Sequence, residues 1–113
     1  MKPIFIAEVK TESPFGYKSV NSFDYLFNIA NKYGEWISIL TDPRWAGSLD
    51  LIRKVRFETR KPIVAKGFNN DVILITEALR EGAQFVLTVD FIPQRDLAVR
   101  YSGLLFNGIF HIC

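Results

Sequence analysis

The sequence predicts an α/β fold organised around a parallel sheet. Short apolar runs alternate with amphipathic stretches of helical period, and strands separated by helices pair in parallel through right-handed crossovers. The unit recurs about every 25 to 30 residues, a spacing that suits βα repeats. Charge supplies the other observation. Glu8 and Lys10 close the first apolar run and Lys66 closes the third, so three charged groups sit at the C-terminal ends of otherwise apolar strands.

The elements follow in order. Residues 3–9 form the first strand. The stretch from Val20 to Tyr33 carries Phe23, Leu26, Phe27 and Ala30 at helical spacing, with Ser22 as N-cap and Gly34 as stop. Trp36 to Leu40 is the second strand. Ser48 caps a helix running to about Arg60, with Leu49, Ile52 and Val55 inward and Arg56 on or beside that face. Pro62 to Lys66 is the third strand. Asp71 caps a helix through about Glu81, with Ile75, Ala78 and Leu79 inward and Gly82 at its end. Phe85 to Val89 is the fourth strand, Pro93 opens a fourth helix ending near Gly103, and Gly108 to Ile112 is the fifth strand. No linker or low-complexity segment interrupts the series, so residues 1–113 are expected to form a single domain.

Composition narrows the function classes. Apolar residues make up 49% of the chain and charged residues 23%, as in ordinary globular domains. A net charge of +2, with Lys and Arg scattered, argues against nucleic acid and anionic membrane as partners. Cys113 is the one cysteine, so no internal disulfide is possible. The opening residues lack a signal peptide's apolar run, and no window reaches the roughly 18 apolar residues of a membrane span. A cytoplasmic location is expected.

The charged residues carry the chemistry. Strand geometry points Glu8 and Lys10 to one side. Burying an unpaired charge costs several kcal/mol, so two on one face of a core strand imply a polar pocket. Two architectures fit the alternation: a doubly wound open sheet, or part of a (β/α)8 barrel. No G-x-G-x-x-G or G-x-x-x-x-G-K-[ST] loop follows a strand, as an open nucleotide-binding sheet would require. In a barrel, functional groups gather at the C-terminal strand ends, where Glu8, Lys10, Lys66 and His111 fit. A complete barrel needs about 200 residues or more, so 113 residues amount to roughly half of one.

Specific motifs then resemble a known family. Glu8-Val9-Lys10-x-x-Ser13-Pro14 is similar to the first-strand signature of indole-3-glycerol phosphate synthase, a (β/α)8 enzyme of tryptophan biosynthesis. Ile37 to Asp42 resembles its second strand, Gly47-Ser48-Leu49 with Leu51 to Val55 its second helix, and Pro62 to Phe68 its third strand. Glu77-Ala78, Gly82-Ala83 and Val86-Leu87 continue the match, which covers about residues 4–90 well and 91–113 weakly. The expected fold is therefore a partial TIM barrel, about (βα)4 plus a fifth strand.

The resemblance implies a carbon–carbon lyase. A carboxyphenylamino-deoxyribulose phosphate closes a ring and yields indole glycerol phosphate, carbon dioxide and water, with no metal or organic cofactor. By resemblance, either Lys66 is the general acid at the carbonyl or hydroxyl, or Lys10 shares that duty while holding the substrate carboxylate. Glu8 orients Lys10 and the substrate hydroxyls and keeps the lysine charged. Ser13 lies near the phosphate end of the substrate. Pro14, Leu40 and Phe68 line the pocket of the aromatic ring. His111 falls where the family's fifth strand carries its base, a glutamate.

Several features depart from the family pattern. Gly67 replaces the Asp beside the third-strand lysine, which removes the group expected to orient it. Glu12 adds a negative charge near an anionic substrate. The later strands, with their phosphate loops, and the N-terminal helical extension are not in these 113 residues, so impaired activity or a fragment of a longer enzyme is expected. An alternative reading is a non-catalytic half-barrel that serves as an assembly or binding module, with Glu8 and Lys10 a structural ion pair. Ser13-Pro14 is ordinary turn chemistry outside its motif. Trp36 and Trp45 read as core and loop packing, Arg53, Lys54 and Arg56 as a solvated helix face. Open edges at strands 1 and 5 predict a homo-oligomer.

Overall fold

The computed structural model describes residues 3–67, 72–88 and 105–107. Five strands form one sheet in chain order: β1 (Ile6–Val9), β2 (Trp36–Leu40), β3 (Ile63–Lys66), β4 (Phe85–Thr88) and β5 (Leu105–Asn107). Every neighbouring pair is parallel. Three helices connect the first four strands: α1 (Phe23–Tyr33), α2 (Leu49–Arg56) and α3 (Val72–Glu81). Spatial order equal to chain order is how a barrel wall is laid down; a doubly wound sheet reverses direction at a switch point. The topology therefore selects the partial barrel from the two architectures that the alternation allows.

Local chemistry explains most boundaries. The Ser22 hydroxyl accepts from the Tyr25 N–H at 3.2 Å, satisfying one orphan donor at the start of α1. Gly34 N–H closes that helix on the Ala30 carbonyl at 2.8 Å. Ser48 holds the N-cap position of α2 with extended backbone, but its side chain makes no capping bond. Gly82 ends α3 with φ +119, a left-handed conformation natural to glycine, and a Cβ there would meet the Arg56 side chain at 2.6 Å.

Three expectations need comment. Helix α2 stops at Arg56 rather than near Arg60 because the chain beyond it turns the Thr59 and Lys61 carbonyls back onto the Arg56 guanidinium. The fifth strand is Leu105–Asn107, in register with Val86, Leu87 and Thr88. The expected strand from Gly108 to Ile112, the helix from Pro93 and the Asp71 cap lie outside the described residues.

The sheet has two differently used faces. Ile37 and Ile39 of β2, Ile63 and Ala65 of β3 and Val86 of β4 are buried against Phe27, Ile52, Val55 and Ile75 of the helices. Each such aliphatic side chain contributes about 1.5–3 kcal/mol on burial. Alternation turns Trp36, Ser38 and Leu40 to the opposite, inner face. There Trp36 stacks on Phe85 with ring centroids 4.1 Å apart, closing the lower end of that face. The charged residues stand above this floor.

Candidate functional site

Strand register builds the site. Glu8 pairs with Ser38 across β1 and β2, and Leu40 pairs with Lys66 across β2 and β3. Period-2 geometry places Glu8, Lys10, Ser38, Leu40 and Lys66 on the inner face. Lys66 Nζ lies 2.7 Å from Glu8 Oε1, so β1 and β3 are joined across the intervening β2. Two strand spacings of about 4.8 Å separate them, which a long lysine can bridge. The side chains are 29% and 14% exposed, so the pair is partly withdrawn from water.

This differs from the expectation that Glu8 orients Lys10. Residues two apart on a strand are separated by about 6.8 Å along its axis, while Lys66 reaches inward to the carboxylate. Lys10 Nζ instead lies over the Tyr17 ring, 5.1 Å from its centroid. The same pairing answers the question raised by Gly67: Glu8 orients the third-strand lysine. A Cβ at Gly67 would meet Thr41 Oγ1 at 2.4 Å, so a side chain there requires Thr41 to shift.

The loops form the rim. After β1 the chain makes a small hairpin bridged at Glu12 and Lys18, with Ser13 N–H donating to the Tyr17 carbonyl at 3.0 Å. Ser13 Oγ accepts from the Phe15 and Tyr17 N–H groups at 3.2 and 3.4 Å, so this hydroxyl organises the turn. Pro14 is exposed at the tip. After β2, Asp42 caps a short 3₁₀ turn (Pro43–Trp45) and takes a two-pronged bond from Arg44, at 3.0 and 2.8 Å. Arg44's hydrogen bonds hold the Asp42 carboxyl below its usual range. This turn carries Trp45 to the site, where its edge meets the Phe15 ring at 6.3 Å.

These groups enclose a pocket of about 170 Å³ lined by Glu8, Lys10, Leu40, Asp42, Trp45, Lys66, Gly67 and Leu87. That volume suits one substituted aromatic ring, given that a cavity of about 150 Å³ binds benzene. Two ammonium groups, apolar walls from Leu40 and Leu87 and the Trp45 ring would suit a planar aromatic acid. A second hollow of about 380 Å³ at the start of α2 is lined, among the described residues, by Asp42 and Asp50 and by no cation, a poor setting for an anion. Among the described residues, no three His, Cys, Asp or Glu side chains converge as metal ligands.

The structure thus gathers Glu8, Lys10, Leu40 and Lys66 in one pocket. Ser13 and Pro14 belong to the hairpin above it and do not line it. Phe68 and His111 lie outside the described residues. Asp42, Trp45 and Leu87 enter the lining without having been chosen from sequence as site residues. The Asp42-Pro43 dipeptide at the end of β2 was the available signal for a turn there.

A parallel βα wall whose strand order equals its chain order defines a partial (β/α)8 barrel, with paired charges at its C-terminal strand ends. The family model for indole-3-glycerol phosphate synthase matches residues 1–101. A Vibrio parahaemolyticus tryptophan biosynthesis protein, TrpCF, is 36% identical over 89 residues, covering 76% of this chain and 18% of that protein. Indole-3-glycerol phosphate synthases of Campylobacter concisus and Campylobacter fetus are 38% and 40% identical, each over 74% of this chain and 33% and 34% of their own length. The chain belongs to the indole-3-glycerol phosphate synthase family. It spans about a third of the length of the Campylobacter relatives and less of TrpCF. Among the described residues, no helix is long and apolar enough to cross a membrane.

Proposed function

We propose that this chain forms the first half of a barrel wall that closes the indole ring of a carboxyphenylamino-deoxyribulose phosphate. The observation that supports this reading is the Glu8–Lys66 pair lining an aromatic-sized pocket. Lys66 is the general acid. It protonates the ketose oxygen as the ring carbon bearing the carboxylate bonds to the carbonyl carbon. The carboxylate leaves as carbon dioxide and its bonding electrons restore the ring. The hydroxyl then takes a second proton from the general acid and departs as water while the adjacent CH2 carbon gives up a proton to the base, which forms the indole double bond. Lys10 holds the substrate carboxylate until it leaves, and Glu8 fixes the Lys66 ammonium. Leu40, Leu87 and Trp45 face the aromatic ring. The Ser13 hydroxyl, fixed as an acceptor in its turn, still has its proton to offer an anionic group. Phe68 and His111 retain the ring-pocket and base roles that the resemblance implies.

Residues 1–113 act in this proposal as one half-barrel domain, and the soluble, charged substrate puts its work in the cytoplasm. Its open edges pair in a homo-oligomer in which two sheets complete a barrel or sandwich. Edge strand β1, with exposed Ile4 and Phe5, adjoins helix α1, whose Tyr25, Ile29 and Tyr33 form an exposed ridge at i, i+4 and i+8. A sharply monomeric sedimentation profile at micromolar concentration would refute the homo-oligomer. The same ridge favours the second reading, a non-catalytic assembly or binding module descended from the family.

The deciding assay follows indole fluorescence with the carboxyphenylamino-deoxyribulose phosphate, on wild type and Lys66→Ala. Slow turnover that vanishes in the variant is expected. No turnover, with no thermal shift on adding substrate, would leave the module reading.

A further inference from the structure

Two buried oxygens occupy adjacent positions on the inner face. Among the described residues, Glu8 Oε1 and Ser38 Oγ are the buried side-chain polar atoms that make no hydrogen bond. Ser38 is 0% exposed and stands in register with Glu8 on one side and Val64 on the other. Glu8 Oε1 has the Lys66 ammonium at 2.7 Å as an ion pair, but without aligned hydrogen-bond geometry. Ser38 Oγ lies on the strand that the ion pair crosses, below the pocket.

A hydroxyl sealed from solvent without a partner is unfavourable, and buried polar atoms in folded proteins nearly always have one. The neighbours of Ser38 on its face narrow the choice. Val64 and Leu40 are apolar and the Trp36 indole can only donate, which leaves the Glu8 carboxylate as acceptor. A carboxylate only accepts, so a hydrogen-bonded chain between the two ends in donation to Glu8, and the serine proton is satisfied only if it donates into that chain. Neighbouring strands stand about 4.8 Å apart. Two consecutive hydrogen bonds of about 2.8 Å, bent at a water oxygen, span that gap.

We propose that Ser38 is a positioning residue for the Glu8–Lys66 pair, its hydroxyl donating to one buried water that in turn donates to Glu8 Oε1. The water fixes the carboxylate rotamer from below while Lys66 holds it from above. Of the groups facing Glu8, Lys66 comes from β3, Lys10 from its own strand and Asp42 from the turn after β2; β4 contributes the apolar Leu87. The inference rests on reading the pair as the working pair of the site, but its test needs no turnover.

The test is NMR of the whole chain at one pH, joined to unfolding curves. A slowly exchanging Ser38 hydroxyl proton with a cross-peak to bound water is expected. It should disappear in Ser38→Ala and in Glu8→Leu, and the Glu8 carboxyl ¹³C resonance should move in Ser38→Ala. The unfolding midpoint should fall in Ser38→Ala, yet stay level or rise when the same change is made in Glu8→Leu. Glu8→Gln replaces that background if Glu8→Leu does not fold. A midpoint that rises in Ser38→Ala alone marks an orphan hydroxyl and overturns the proposal. An unmoved Glu8 carboxyl resonance overturns it equally, whatever becomes of the lyase reading.

Discussion

The two ends of the sheet both hold half-buried cations, and they hold them differently. At the N-terminal strand ends, the Arg56 guanidinium donates to the carbonyls of Gly82, Thr59 and Lys61 and to the Gln84 side chain, at 2.7–3.0 Å. Gln84 Oε1 also accepts from the Ile63 N–H, so one amide ties the starts of β3 and β4 to the arginine. Lys61 donates to the carbonyls of Gly34 and Asn31 at the end of α1. Those partners are neutral and numerous, and burial pushes the Arg56 guanidinium below its usual pKa. At the C-terminal strand ends, among the described residues, Lys66 meets one carboxylate beside a pocket, and Lys10 faces an aromatic ring. A cation saturated by backbone carbonyls locks helix ends to strand starts. One left with spare donors beside a cavity is available to a ligand. Under the proposed function, the lower end serves stability and the upper end chemistry.

The largest expected effect lies at the lower end. Arg56→Met strands three carbonyls and an amide in a partly buried cage and should destabilise the chain by about 2–4 kcal/mol, read from urea unfolding. No second substitution at a single neighbour should recover that loss.

Next comes the upper pair. Lys66→Met leaves the Glu8 carboxylate with little solvent and no counter-ion, at a cost of about 1–3 kcal/mol. The double variant Glu8→Leu/Lys66→Met should recover most of this, because a partly buried ion pair and an apolar pair of similar volume are close in stability. Failure to recover would mean that the upper pair is structural like the lower cage.

Smaller again is Gly67→Ala, expected to cost about 1–2 kcal/mol through overpacking against Thr41. Most of that cost should vanish in a Thr41→Ala background. The smallest effect is in pH dependence. Arg44 lowers the folded pKa of Asp42 below its ordinary 3.8, so the pair's contribution is complete above that value and is lost as the pH falls through the lowered one. Arg44→Ala should remove that acid-range slope from the unfolding midpoint and leave neutral pH almost unchanged.

Much of the wall was legible because each signal was local. Ser22, Gly34 and Gly82 mark helix ends through their own backbone chemistry, and the four apolar runs through Thr88 coincide with strands within a few residues. Lys66 stood out because a charge closes an apolar run. Its partner was not legible. The sequence shows Glu8 beside Lys10, and only the spatial order of β1, β2 and β3 reveals that Lys66 reaches Glu8 first. Arg56 was hidden for a similar reason. It shares a basic helix face with Arg53 and Lys54, which do sit at the surface, paired with Glu81 at 2.6 Å and Asp24 at 2.7 Å. The carbonyls that enclose Arg56 come from two separate connections, α2–β3 and α3–β4, and no spacing in the sequence announces them.

The most direct test of the functional end is an NMR titration of the chain with the carboxyphenylamino-deoxyribulose phosphate, on wild type, Lys66→Met and Glu8→Leu/Lys66→Met. Wild type should show amide shifts confined to Glu8, Lys10, Leu40, Trp45, Gly67 and Leu87. The double variant should remain folded and lose them. Shifts that persist without Lys66, or that gather instead around Arg56, would contradict the division between the two ends of the sheet.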